Sequence, residues 1–215
     1  MRAGLADLGV QVTDLQYTDR QPLASLVLTG TSADGARLFV TALGRDAWSS
    51  RKWTLLWKRA WYQDQGSQFG SDRRQQIEHE ALAMLLADQG GASVPALVTI
   101  GMTERDDAVL VSELLDHTLD GVADDAVDDE ALDAIWNALG ELHEAGISHG
   151  SLDADHIWFD SAGRPALMGF ADAAINPSPD QLHSDMAALL VLTAATVGKE
   201  RAIAAARRAN TDDEL

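Results

Sequence analysis

Residues 142–173 read LHEAGISHGSLDADHIWFDSAGRPALMGFADA. The stretch opens on the end of a helix, expected from about Glu130 to Ala145 and closed by Gly146, because glycine accepts the left-handed backbone that stops a helix. From Ser148 to Ala174 the apolar residues follow no helical period, which predicts a loop with short strands. Downstream, Ser178-Pro179 marks a helix start with proline at the first helical position. The apolar run Met186–Val197 predicts a buried helix ending near Val197, and a last helix is expected over Glu200–Ala209 before a polar tail.

Upstream the periodicity changes. Val10–Tyr17 alternates apolar and polar residues, and Leu23–Thr29 and Arg37–Leu43 are further β-rich runs. Between the last two, Asp34-Gly35 marks a hairpin turn. A helix is expected over Ala47–Tyr62. After a break at Gln63–Gly70, Ser71 caps a second helix over Asp72–Asp88, which stops at Gly90-Gly91. Two strands, Ala96–Ile100 and Ala108–Leu114, flank the polar turn Thr103–Asp107, and an acidic loop, Asp116–Asp129, leads into the helix at Glu130. The order predicts an α+β chain: a mainly β N-lobe over 1–112, carrying an extra Trp-rich helix at about 47–62, and a mainly helical C-lobe over 113–215.

The chain has 215 residues, 34 acidic and 16 basic, for a formal charge of −18, with 46% hydrophobic residues. That apolar content suits a packed domain rather than a disordered segment. With no cysteine, a disulfide scaffold, a thiolate metal site and a cysteine nucleophile are excluded. The negative charge opposes a phosphate backbone, so no nucleic-acid partner is expected. The N-terminus lacks the apolar core of a signal peptide, and the run Met186–Val197 is short of the roughly twenty residues that span a bilayer. A cytoplasmic location is expected, as a soluble protein or as the soluble domain of an integral membrane protein. Only Lys52, Lys58 and Lys199 are lysines.

The stretch 142–173 resembles the core of the protein-kinase-like fold, in which a helix ending LH-x-x-GI is followed by H-R-D-L-K-x-x-N, a short strand, a turn and D-F-G. His149 falls on the H of H-R-D, Leu152 on its leucine and Phe170 on the F of D-F-G, without a gap. Ser184–Leu189 is similar to the S-D-V-W-S-L start of the family's central C-lobe helix, and Leu110–Leu114 to the strand entering the hinge. The resemblance covers about residues 10–197 and implies a bilobal protein-kinase-like fold with a β-rich N-lobe and a reduced, mainly helical C-lobe.

It also places substitutions where the family does its chemistry. The general-base aspartate falls on Ser151, the metal-binding asparagine on His156, and the D of D-F-G on Gly169. The phosphate-holding lysine falls on Thr41, in a strand without lysine, and no G-x-G-x-x-G loop is present in the N-lobe. Phosphoryl transfer rests on positioning and neutralising phosphate charge; a serine is no base without a partner, and glycine offers Mg²⁺ no oxygen ligand from a side chain. What remains implies a frame: His149 behind the loop, Asp185 receiving its backbone N–H groups, and Glu78 or, better placed, Glu80 at the lysine-pairing position, without an obvious partner. The resemblance thus implies a degenerate kinase, a pseudokinase. The expectation is a regulatory or scaffolding domain that is not an enzyme, takes no cofactor, and works through protein–protein interaction. The alternative is a remodelled small-molecule or lipid phosphotransferase using Asp153 or Asp172.

Other signals bear on partners. His149, Asp153, Asp155 and His156 invite a metal reading, but the adjacent Asp155 and His156 would diverge on a strand, so no metal is expected. Trp53, Trp57 and Trp61 recur at helical spacing along one face, after Trp48. From Arg45 to Tyr62 five basic residues, Lys58 among them, stand against one acid, a net +4. This stripe either packs on the N-lobe sheet or docks on a protein partner or an anionic membrane surface. A narrower resemblance agrees with docking. Gly44-Arg45-Asp46, Trp57–Asp64 and Gln76–Ala81 are similar to the kinase-like cytoplasmic portion of actinobacterial membrane proteins whose transmembrane region is like that of lysylphosphatidylglycerol synthases. That resemblance implies an adjoining flippase-like, lipid-handling transmembrane domain as partner.

Overall fold

Alternation of apolar residues builds an antiparallel sheet at the N-terminal end of the chain. The computed structural model describes residues 1–18, 21, 25–44, 73–121 and 127–209. The Trp-rich helix expected at 47–62, with Trp53, Trp57, Trp61 and Lys58, and the Ser71 cap lie outside the described residues.

Two units divide the chain: Met1–Ala81 with Ala96–Leu114, and Leu82–Pro95 with Leu115–Leu215. In the first, strands β1 (Val12–Tyr17), β2 (Leu26–Ser32), β3 (Arg37–Leu43), β4 (Leu97–Met102) and β5 (Ala108–Glu113) form one antiparallel sheet in the order β1-β2-β3-β5-β4. Leu28, Leu38, Val40, Ala42, Val109 and Val111 share one face, as the two-residue period requires, and a short N-terminal helix α1 (Arg2–Asp7) buries Leu5 among them. Thr41 points to the opposite face, paired across the sheet with Val27 and Leu110.

A longer helix, α2 (Arg73–Gln89), follows in sequence, its start tied to the β4–β5 turn by Arg73 Nη2 at 2.7 Å from Asp106 Oδ2. Of the two glutamates considered there, Glu78 is exposed and pairs with Arg74 one turn back, at 2.7 Å. Glu80 is buried, 6% exposed, and is not without an interaction of its own, which corrects the expectation of an unpartnered residue.

The second unit is built on helices α3 (Asp129–Glu144), α4 (Pro179–Val197) and α5 (Lys199–Ala209). Asp128 caps α3 by accepting the Ala131 N–H at 2.8 Å, and α3 buries Leu132, Ile135, Trp136, Ala138, Leu139 and Leu142. A capping box between Ser178 and Gln181, with Pro179 just inside, starts α4. The apolar run in α4 is covered along one stripe only. Asp185, Leu189 and Thr193 are buried, while Val191 is 71% exposed, so the expected buried helix is half-covered. Among the described residues no helix is long and apolar enough to cross a membrane.

Candidate functional site

Between α3 and α4 the chain makes two short antiparallel pairings, and these fix the site within the second unit. Strand β6 (Ile147–Ser148) pairs with β9 (Ala174–Ile175), holding the start of the His149–His156 loop beside the end of the Gly169–Asp172 segment. Strands β7 (Ile157–Phe159) and β8 (Pro165–Leu167) form a hairpin. Its turn is set by Asp160, which accepts the Ala162 and Arg164 backbone N–H groups at 2.8 and 2.9 Å. One step beyond the hairpin, the Met168 N–H donates to the His156 carbonyl at 2.9 Å. The same residue's carbonyl accepts the His149 Nε2–H at 2.8 Å. Met168 therefore straps the loop's first and last histidines to one backbone unit.

Asp185, 2% exposed on α4, holds the other side of the loop. Its Oδ2 accepts the His149 N–H at 2.6 Å and its Oδ1 the Gly150 N–H at 2.9 Å, and His143 Nε2 of α3 lies 3.2 Å from Oδ2. Hydrogen bonds to an ionised acceptor are the strong ones. Gly150 has φ +80°, and a side chain there would run into the Asp172 carbonyl. Glycine is thus required both by the backbone angle and by the close approach of the two segments.

His149 is fully buried against the rings of Phe170 and His156, each with its centroid 5.2 Å away. Because Nε2 carries the proton given to Met168, Nδ1 is a buried lone pair without a hydrogen-bond partner. Burial, then the neighbouring His156 ring, pull the His149 pKa down to about 4. In the unfolded chain the same ring takes a proton near its ordinary value, so the unfolded state binds more protons between the two values. Stability is therefore expected to fall on acidification, by about 2 kcal/mol between about pH 8 and pH 5 from this residue alone. Urea unfolding across that range checks it: His149→Gln should flatten the slope, and an unchanged slope would assign the acid sensitivity elsewhere.

His156 ends a single 3₁₀ turn (Ala154–His156) that Asp153 caps through the Asp155 N–H at 2.9 Å. Its Nδ1 lies 2.8 Å from Asp153 Oδ1, an ion-pair distance, though Nδ1 has no hydrogen bond of good geometry. The adjacent His156 ring holds the Asp153 carboxyl below its usual range despite partial burial. The opposite edge of the ring, Cδ2 and Nε2, covers Gly169, where φ is +82° and any side chain would strike it.

The sequence-predicted positions are distributed as follows. His149, Ser151, Asp153, His156, Gly169, Asp172 and Asp185 all belong to the second unit, with Ser151 half-buried and Asp172 exposed; Thr41 and Glu80 belong to the first. Sequence reasoning missed His143 as a companion of Asp185, and the contact of His156 with Gly169. The first could have been suspected from a histidine in the last turn of α3, where it also faces the helix dipole; the second has no local signal. Among the described residues no three His, Asp or Glu side chains are gathered as a metal site. The divalent cation that a kinase-like fold implies takes hard oxygen ligands in octahedral geometry. At the two positions to which the sequence resemblance assigns it stand an imidazole and a glycine, a donor set without the carboxylate or amide oxygens that such a cation takes, so these residues do not fit it.

No protein-family model matches the chain, and no curated protein matches its sequence. Among solved structures the chain is similar to one described as the structure of vaccinia related kinase 3. The TM-score is 0.53 at 12% identity, over 93% of this chain and 71% of that one. This match overturns the expectation of a non-enzyme: the protein whose fold the chain shares is described as a kinase, so the fold itself gives no ground for placing the chain outside catalysis. At that identity the likeness concerns architecture. The chain has a protein-kinase-like fold, β-sheet in its N-terminal part and helical in its C-terminal part.

Proposed function

We propose that the chain is a kinase-like regulatory domain that acts by contact, serving a membrane-embedded, lipid-handling partner. The observation that supports this reading is the division within one loop. Its shape-holding groups are complete: Asp185 holds two backbone N–H groups and Met168 straps two histidines. The positions to which the resemblance assigns the general base and the two metal ligands carry Ser151, His156 and Gly169 instead. A loop fixed from both sides is a suitable contact surface, since little ordering entropy is lost when it is engaged. The net +4 segment 45–62, with its three spaced tryptophans, has the composition that binds anionic headgroups. Flotation of the full chain with vesicles of phosphatidylglycerol and phosphatidylcholine tests the membrane side. Binding should require the anionic lipid, weaken with salt, and drop on Trp57→Ser or Lys58→Glu. Absence of binding at low salt would sink it.

A second reading retains transfer chemistry. Asp153 is an exposed carboxylate two residues past Ser151, held ionised beside His156, and Asp172 stands across the loop pairing near Gly150. In this reading Asp153 accepts the proton of a small-molecule or lipid hydroxyl. Consumption of ATP with a panel of such acceptors, followed by phosphorus NMR, tests it. Transfer abolished by Asp153→Asn and kept by Asp172→Asn assigns the base; the reverse pattern assigns Asp172.

A further inference from the structure

We propose that His156 and Gly169 form a matched pair that closes the cation position of this fold. The imidazole ring takes the volume that a side chain at 169 would need. It holds the segment led by Phe170 against the loop by packing, where a bridging divalent cation would otherwise do so. The ring is 27% exposed and is held along its remaining sides. Its Cδ2 and Nε2 edge lies over Gly169, so closely that even a methyl group there would overlap it. Its Nδ1 edge faces Asp153 Oδ1 at 2.8 Å. The His149 ring stands 5.2 Å away at a 58° tilt, and the backbone of His156 is tied to Met168, the residue before Gly169.

Two consequences follow from the sterics. A side chain cannot be added at 169 while the ring is in place, and a smaller residue at 156 gives up the contacts that the ring makes with Gly169 and His149. Each residue is thus the condition for the other, and a phosphorylated ligand reaching this loop meets an imidazole edge and no bridging cation. The pairing is the same whether the loop transfers phosphate or frames a contact surface, so it does not rest on either reading of function.

A double-mutant cycle on the full chain tests it, with Gly169→Ala and His156→Ala made singly and together and thermal unfolding as readout. The Tm loss from Gly169→Ala should be about twice as large, or more, with His156 present as with alanine at 156. Without the ring only the strain of a left-handed backbone remains for the alanine. If Gly169→Ala fails to fold alone but folds with His156→Ala, the pairing is supported equally. Losses of the same size in the two backgrounds overturn it. The unaltered protein supplies an independent test, a Mn²⁺ titration followed by amide NMR. The signals of residues 150–156 and 168–172 should stay sharp at sub-millimolar Mn²⁺. Selective broadening there would show a cation seated at the position and would overturn the proposal.

Discussion

Asp185→Ala is expected to remove about 3–5 kcal/mol of stability, the range for breaking a buried charged network on one side. The carboxylate is the common acceptor for the His149 and Gly150 N–H groups and the neighbour of His143 Nε2. With it gone, the buried His149 N–H is left without a partner and costs its full desolvation, while the exposed Gly150 N–H loses its charged acceptor and turns to water. Asp185→Asn retains one carbonyl oxygen and should lose clearly less. Urea unfolding gives the size of the loss, and hydrogen exchange gives its location. The amides of His149 and Gly150 should lose protection before those of α3. A loss below about 1 kcal/mol would mean that the loop is held by packing and not by this carboxylate.

Phe170→Ala should be about as damaging, at about 3–5 kcal/mol, the usual cost of emptying a buried aromatic site. The ring is fully buried and tilted against His149 at 5.2 Å. Its loss leaves a cavity beside a histidine that already carries an unsatisfied Nδ1. Phe170→Leu keeps most of the volume and should recover most of the stability. Thermal unfolding of the two variants in parallel separates volume from ring contact. Equal losses would show that the aromatic contact with His149, and not the filled space, is what the position supplies.

Where local signals were strong, element ends were legible. The Asp34-Gly35 turn and the Ser178-Pro179 start carry their own chemistry, and β3 and α4 run over the residues expected, Arg37–Leu43 and Pro179–Val197. Strand β2 runs later than expected, to Ser32. Gly30, one residue past the expected strand end at Thr29, lies within the strand where a side chain would strike the Asp14 carbonyl of β1; cross-strand crowding, not turn preference, put glycine there. Helix α1 went unread because its six residues bury a single leucine, too little for a period to show. The half-covered α4 shows another limit: hydropathy records what a helix would bury but not how many neighbours arrive to bury it. Motif spacing singled out His149, Gly169 and Asp185 as residues to examine. It could not show an imidazole edge covering a glycine, because those residues meet only through hairpin register.

The helix that closes the second unit sets an order of events. Arg201 of α5 reaches back 72 residues in sequence to Asp129, and Arg208 reaches back 75 to Asp133, both at the start of α3 and both at 2.7 Å. Ala202, Ala205 and Ala206 of α5 are buried, and α5 packs on α3 and α4. Contacts separated so far in sequence form only after their loop closes, so they arrive late in folding. On the ribosome, α3 emerges well before the helix that covers it. For that interval its apolar face is open to wrong partners, as is usual for segments awaiting distant neighbours. A pause in translation ahead of residue 199 would therefore lengthen the interval in which that face stands open.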